Sequence, residues 1–172
     1  MTKRVLLSVL GEDRPGLVES IADIVRHYEG NWLESRLSHL AGKFSGLITV
    51  EIKQDAYTHL VSRLEELHKD GLSIRIEEIN ADSADTREIY RIELVGNDKP
   101  GIVRDIARVM AMDGVNVEEI RTHRGSAAWS GGDIFEATIQ VSLPSGLDPD
   151  KLRGDLENLA NDLMVDIKFQ KH

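Results

Sequence analysis

The sequence holds 172 residues, 41% of them hydrophobic and 30% charged: enough Val, Ile and Leu for packed cores, at a length between one ordinary domain and two large ones. Twenty-one Lys and Arg against thirty Asp and Glu leave a formal net charge of −9, which repels a phosphate backbone and speaks against direct nucleic-acid binding. No cysteine is present, which excludes disulfides, thiolate metal sites and Cys nucleophiles and suits a reducing cytoplasm. The apolar stretch after Met1-Thr2-Lys3-Arg4 runs only from Val5 to Leu10, and no segment approaches the roughly 18 apolar residues of a membrane span, so a cytoplasmic protein without a membrane partner is expected.

Taken in chain order, Val5, Leu7 and Val9 alternate as in a strand. From Gly16 the period changes, and Leu17, Val18, Ile21, Ala22, Val25 and Tyr28 form one helical stripe that ends at Gly30-Asn31. Two extended segments follow, near Asn31 to Leu40 and Phe44 to Lys53, then a second helix on Leu60, Leu64 and Leu67 and a closing strand on Leu72, Ile74 and Ile76. Residues 81–87 are polar and aperiodic and read as a linker between a first domain, 1–80, and a second, 88–172. The same elements then recur. A strand carries Tyr90, Ile92 and Leu94, and a helix carries Ile102, Val103, Ile106, Ala107 and Met110. Extended segments near Asn116 to Arg124 and Ile134 to Leu143 follow, then a helix entered at Pro149 with Leu152, Leu156, Leu159 and Leu163, and a strand with Val165, Ile167 and Phe169.

The recurrence is a duplication. Gly11-Glu12-Asp13-Arg14-Pro15-Gly16-Leu17-Val18 returns as Gly96-Asn97-Asp98-Lys99-Pro100-Gly101-Ile102-Val103 at a constant shift of 85. Asn31, Glu34 and Arg36 keep that shift onto Asn116, Glu119 and Arg121, and ten of the 26 positions from Gly11 to Arg36 are identical. The order β-α-β-β-α-β, twice, predicts an α+β fold of two ferredoxin-like domains, each an antiparallel sheet with its helices on one face. Each half is small, and its other sheet face is left bare, so the two halves are expected to pack together.

The repeated loop joins a strand to a helix, where the first-turn N–H groups have no internal partner and attract anions. Pro15 and Pro100 pre-set the turn, Gly16 and Gly101 let a ligand approach the backbone, and Asp13 and Asp98 are short acceptors beside it. A small amino acid fits these groups, its carboxylate on helix N–H groups and its ammonium on Asp or Asn oxygens. Asp-x-Pro-Gly is equally ordinary turn and capping chemistry, and both readings stand at this point. On these residues the sequence resembles the ACT domain family, whose members show Gly-x-Asp-x-Pro-Gly-[Ile/Leu]-Val before the first helix and an Asn at the second strand. A free-standing pair of this length is similar to the glycine cleavage system transcriptional repressor group of bacterial regulators. The resemblance implies dimerisation and binding of small molecules, often amino acids, at interfaces between units. It implies ligand-binding roles for Asp13, Gly16, Leu17 and Asn31, and for Asp98, Gly101, Ile102 and Asn116.

The copies differ where the second and third strands join: Ala41-Gly42-Lys43 in one, and Gly125 to Asp133, with Trp129, in the other. Trp129 there and Trp32 beside Asn31 either border a ligand or fill a surface or interface. Chemistry for catalysis is missing. No phosphate or dinucleotide glycine loop, no nucleophile elbow and no i, i+4 histidine pair occurs, so neither catalytic residue, metal nor cofactor is expected, and Arg14 and Lys99 are candidate anion contacts only. Two functions follow. One is a sensor in which glycine, serine or a related amino acid alters affinity for a protein partner, a transcription regulator, with a homodimer as the expected assembly and no direct nucleic-acid contact. The other is a ligand-free dimerisation or interaction module.

Overall fold

A computed structural model describes residues 1–80, 87–126 and 132–172. The chain divides into two units, Met1–Ala84 and Asp85–His172. The first runs β1 (Thr2–Glu12), α1 (Leu17–His27), β2 (Asn31–Leu40), β3 (Lys43–Lys53), α2 (Tyr57–Glu65), a 3-10 turn (Glu66–Asp70) and β4 (Leu72–Ile79). The second runs β5 (Ile89–Asn97), α3 (Ile102–Met112), β6 (Asn116–Ser126), β7 (Asp133–Ser142), α4 (Pro149–Leu163) and β8 (Val165–Lys171). The strand orders β2-β3-β1-β4 and β6-β7-β5-β8 match, with every pairing antiparallel. This is the doubled ferredoxin-like βαββαβ arrangement expected from the duplication. Most of the 81–87 linker and of the longer crossing between β6 and β7, Trp129 included, lies outside the described residues.

Alternation sorts each strand into a core side and an outer side. Val5, Leu7 and Val9 of β1 and Ile48, Val50 and Ile52 of β3 are buried with Leu17, Ile21 and Val25 of α1 and Leu60 and Leu64 of α2. The second core repeats this with Ile92, Leu94, Ile139 and Val141 under Ile106, Met110, Leu152 and Leu156. Small departures from the expected stripes have local causes. Tyr28 caps α1 rather than extending it, and Leu67 falls in the 3-10 turn. Ala160, not Leu159 or Leu163, is the buried residue in the last turns of α4. Trp32 packs against the first core. Pro149 starts α4 as expected, with the Asp148 carboxylate accepting the Asp150 N–H at 2.9 Å.

Ala41 and Gly42 cross from β2 to β3 with φ 51° and 76°, the paired positive angles of a type I′ hairpin turn. Asn tolerates that region better than Ala. Ala41→Asn is therefore expected to stabilise the chain by about 0.5–1 kcal/mol, read as a raised thermal midpoint; a lowered midpoint would contradict the turn assignment.

Candidate functional site

The two copies of the Asp-x-Pro-Gly loop are built alike. Gly16 and Gly101 precede α1 and α3 with φ 88° and 97°, a left-handed conformation that disfavours a side chain. A Cβ at Gly16 would meet nothing within 4 Å, so its constraint is conformational and the space in front of it is open. Neither helix start has a side-chain cap. The Ser20 and Asp105 N–H groups reach back to the Gly16 and Gly101 carbonyls at 2.9 Å, leaving the N–H groups before them to turn or solvent. Leu17 and Ile102 are buried, so only their backbone is available to a ligand. Each loop is pinned to the neighbouring hairpin, with Asp13 N–H donating to Gly42 O and Asp98 N–H to Asp133 O, both at 2.9 Å.

The other repeated glycines, Gly11 and Gly96, serve packing. A Cβ on Gly96 would lie 2.3 Å from Val165 Cγ1, and one on Gly11 2.9 Å from the Gly71 carbonyl oxygen and from Leu72 Cδ1. Arg14 and Lys99 are turned away from the helix starts: Arg14 Nη2 donates to Asp70 O at 3.1 Å and Lys99 Nζ to Leu163 O at 3.0 Å. Both close carbonyls at the C-terminal end of a helical segment, where a cation also suits the dipole.

Within each unit Asp13, Gly16 and Leu17, or Asp98, Gly101 and Ile102, lie at one end of the sheet, and Asn31 or Asn116 at the other. Asn31 pairs with Glu51 and Glu51 with Arg4, whereas Asp13 follows Glu12, so the two are separated by eight residues of β1, roughly 26 Å at about 3.3 Å per residue. The second unit repeats this through Asn116, Ser142 and Ile89. A spacing repeated in both copies thus marks the two ends of one sheet rather than one pocket.

The copies differ in what their side chains already touch. Among the described residues the Asp13 and Asn31 side chains have no hydrogen-bond or ion-pair partner, and both residues are exposed. Asp98 is paired instead with Arg124 of β6, Nε to Oδ2 at 2.7 Å, and Arg124 also pairs with Asp133. The Ile102 N–H donates to Lys99 O at 3.5 Å, and an Asp105 carboxylate oxygen lies 3.9 Å from where a Gly101 Cβ would stand. Asn116 Nδ2 donates to Glu118 Oε1 at 2.7 Å, and the buried Ser142 hydroxyl donates to the same oxygen. Glu118 sits in the bulge that interrupts β6–β7 pairing; its counterpart in the β2–β3 bulge is the exposed Leu33. Arg124, Asp133 and Ser142 carried no motif signal, because their partners lie on other strands or loops of the sheet.

All six histidines are exposed. Among the described residues no group of three or more His, Asp or Glu is placed to hold a metal ion, and no helix is long and apolar enough to cross a membrane.

The ACT domain family model matches residues 3–77 and 88–170, one match per unit. The chain belongs to the ACT domain family. The ACT units of this chain are similar over its full length to two solved structures. One is an unknown protein from Galdieria sulphuraria, 26% identical, covering 100% of this chain and 99% of its own, with a TM-score of 0.85. The other is a candidate glycine cleavage system transcriptional repressor, 17% identical, covering 100% and 98%, with a TM-score of 0.76. At that identity the likeness is one of fold. No curated protein sequence matches the chain.

Proposed function

We propose that this ACT pair is a non-enzymatic regulator in which a small amino acid binds at the Asp13–Gly16 loop and changes the affinity of the chain for a protein partner. The supporting observation is the open start of α1. Its N–H groups lack a side-chain cap, the space before Gly16 is free, and the Asp13 carboxylate, three positions ahead, has no partner. An α-amino acid supplies the matching pair of charges, a carboxylate for the helix end and an ammonium for Asp13. Glycine and serine are the first candidates because open space and exposed polar groups make no provision for a large apolar side chain.

The candidate repressor of similar fold supports a partner among transcription regulators of glycine cleavage or related amino acid metabolism. The net charge of −9 favours action through that protein rather than on DNA. The second unit supports the other reading, a ligand-free interaction module, because Asp98 and Asn116 are occupied by Arg124 and Glu118. Titration calorimetry of the full chain with glycine and with serine tests the proposal. Saturable heat with about one molecule per chain is expected; no heat at millimolar concentrations from any of the twenty amino acids would remove the sensor and leave the interaction module.

A further inference from the structure

We propose that the outer face of the first unit's sheet, opposite its helices, is the interface of a two-fold homodimer. The helices of this unit cover one side of its sheet, and the outward residues of the four strands form two adjacent rows. Reading across β2, β3, β1 and β4, one row is Glu34, Thr49, Leu6, Glu77 and the next is Arg36, Leu47, Ser8, Arg75. Acids stand at both ends of the first row and arginines at both ends of the second, with Leu6 and Leu47 between them. Leu47 is 47% exposed in the single chain, and two open cavities of about 170 and 380 Å³ on this face share Glu34 and Thr49 in their walls.

This pattern is complementary to itself. A two-fold axis lying in the interface, across the strands and midway between the rows, places the acid row of one copy over the arginine row of the other. Glu34 then faces the second copy's Arg36, and Glu77 its Arg75, each pair occurring twice. The leucines close against Ser8 and Thr49 in the middle. Sheets stacked face to face lie about 10 Å apart, a gap that Arg and Glu side chains bridge. In the single chain Arg75 pairs with Glu77 at 2.8 Å and Arg36 lies 3.7 Å from Glu34, so each acid of these rows already stands beside an arginine and dimerisation strands no charge. Four strands by eight residues present on the order of 500 Å² in projection, about 1,000 Å² over both copies, the lower bound for a specific interface. The second unit does not offer the same surface. At the positions of Leu6 and Ser8 it carries Arg91 and Glu93, an ion pair at 2.8 Å in the centre of the face, and burying it would lose solvation for no apolar gain.

The test uses sedimentation of the full chain. The wild type is expected as a dimer of twice 19.2 kDa at micromolar concentration. Glu34→Arg with Glu77→Arg makes both rows positive, and Arg36→Glu with Arg75→Glu makes both negative; each double variant alone is expected to dimerise at least tenfold more weakly. Mixed together they form a heterodimer with every pair restored, which a fold defect cannot mimic. Glu119→Arg on the second unit's face leaves the dimer unchanged. A monomeric wild type at about 100 µM, double variants that dimerise normally, or a mixture that fails to rescue would each overturn the proposal, the last two pointing to association through another surface.

Discussion

Gly96→Ala is expected to destabilise the second unit by about 2–3 kcal/mol, whereas Gly16→Ala, in the same repeated motif, costs the first about 1 kcal/mol. The difference follows from what surrounds each position. At Gly96, β5 passes so close to the start of β8 that a methyl group would lie 2.3 Å from Val165 Cγ1, 2.7 Å from its Cβ and 3.0 Å from its Cα. The side chain is β-branched and short, with no far end to swing away, so relief requires β5 and β8 to part across the Gly96–Val165 pairing. At Gly16 nothing stands within 4 Å, and the penalty is only that of an L-residue held at φ 88°, partly offset by a less flexible unfolded chain. Gly11→Ala lies between the two, since its closest contacts are at 2.9 Å. Urea unfolding of the full chain, followed by circular dichroism, separates these cases. Gly96→Ala should lower the midpoint of the transition that loses the second unit by about 1 M, given typical urea slopes. Equal, small shifts for Gly96→Ala and Gly16→Ala would show that the close approach of β5 and β8 is relieved cheaply.

The architecture was readable in the chain because the duplication supplied each element twice. A period of two in Val5-Leu7-Val9 and again in Tyr90-Ile92-Leu94, with helical stripes beginning at the same offset, leaves few alternatives to a doubled βαββαβ fold. The sites were less readable, for a physical reason. Sequence spacing along an antiparallel sheet does not report distance: Asn31 follows Asp13 by eighteen positions, yet a helix and a reversal carry it to the far end of β1. Trp32, beside Asn31, packs on the core side for the same reason. Likewise Arg14 and Lys99, both one residue after the repeated Asp, have their charges committed to carbonyls contributed by residues 56 and 64 positions away. The repeated Glu34-x-Arg36 and Glu119-x-Arg121 were visible as identities, but their meaning as rows appears only when β3, β1 and β4 supply the neighbours.

The largest functional effect is expected from Asp13. If glycine or serine binds at the start of α1, Asp13→Ala removes the counter-charge to its ammonium, and the loss of a charge-assisted hydrogen bond of about 1.5–3 kcal/mol weakens binding roughly 10- to 100-fold. The backbone pin from Asp13 N–H to Gly42 O is independent of the side chain, so the loop and the thermal stability should be little changed. Asp98→Ala is expected to behave in the opposite way. Its carboxylate serves Arg124, which also serves Asp133 at the base of the longer β6–β7 crossing. Removing it should leave ligand affinity within twofold. The partly exposed ion pair it breaks is worth about 1 kcal/mol, so the stability change is small as well. Calorimetry of the two variants beside the wild type distinguishes the copies. Equal loss in both would mean that the second loop sheds Arg124 to bind, and loss only in Asp98→Ala would transfer the site to the second unit. The expected asymmetry has a physical origin. At the loop of the second unit Arg124 and Asp105 bring charge from within the fold, and at the far end of its sheet Glu118 engages Asn116, whereas the counterparts of these three residues, His39, Ser20 and Leu33, bring no such charge to the first unit.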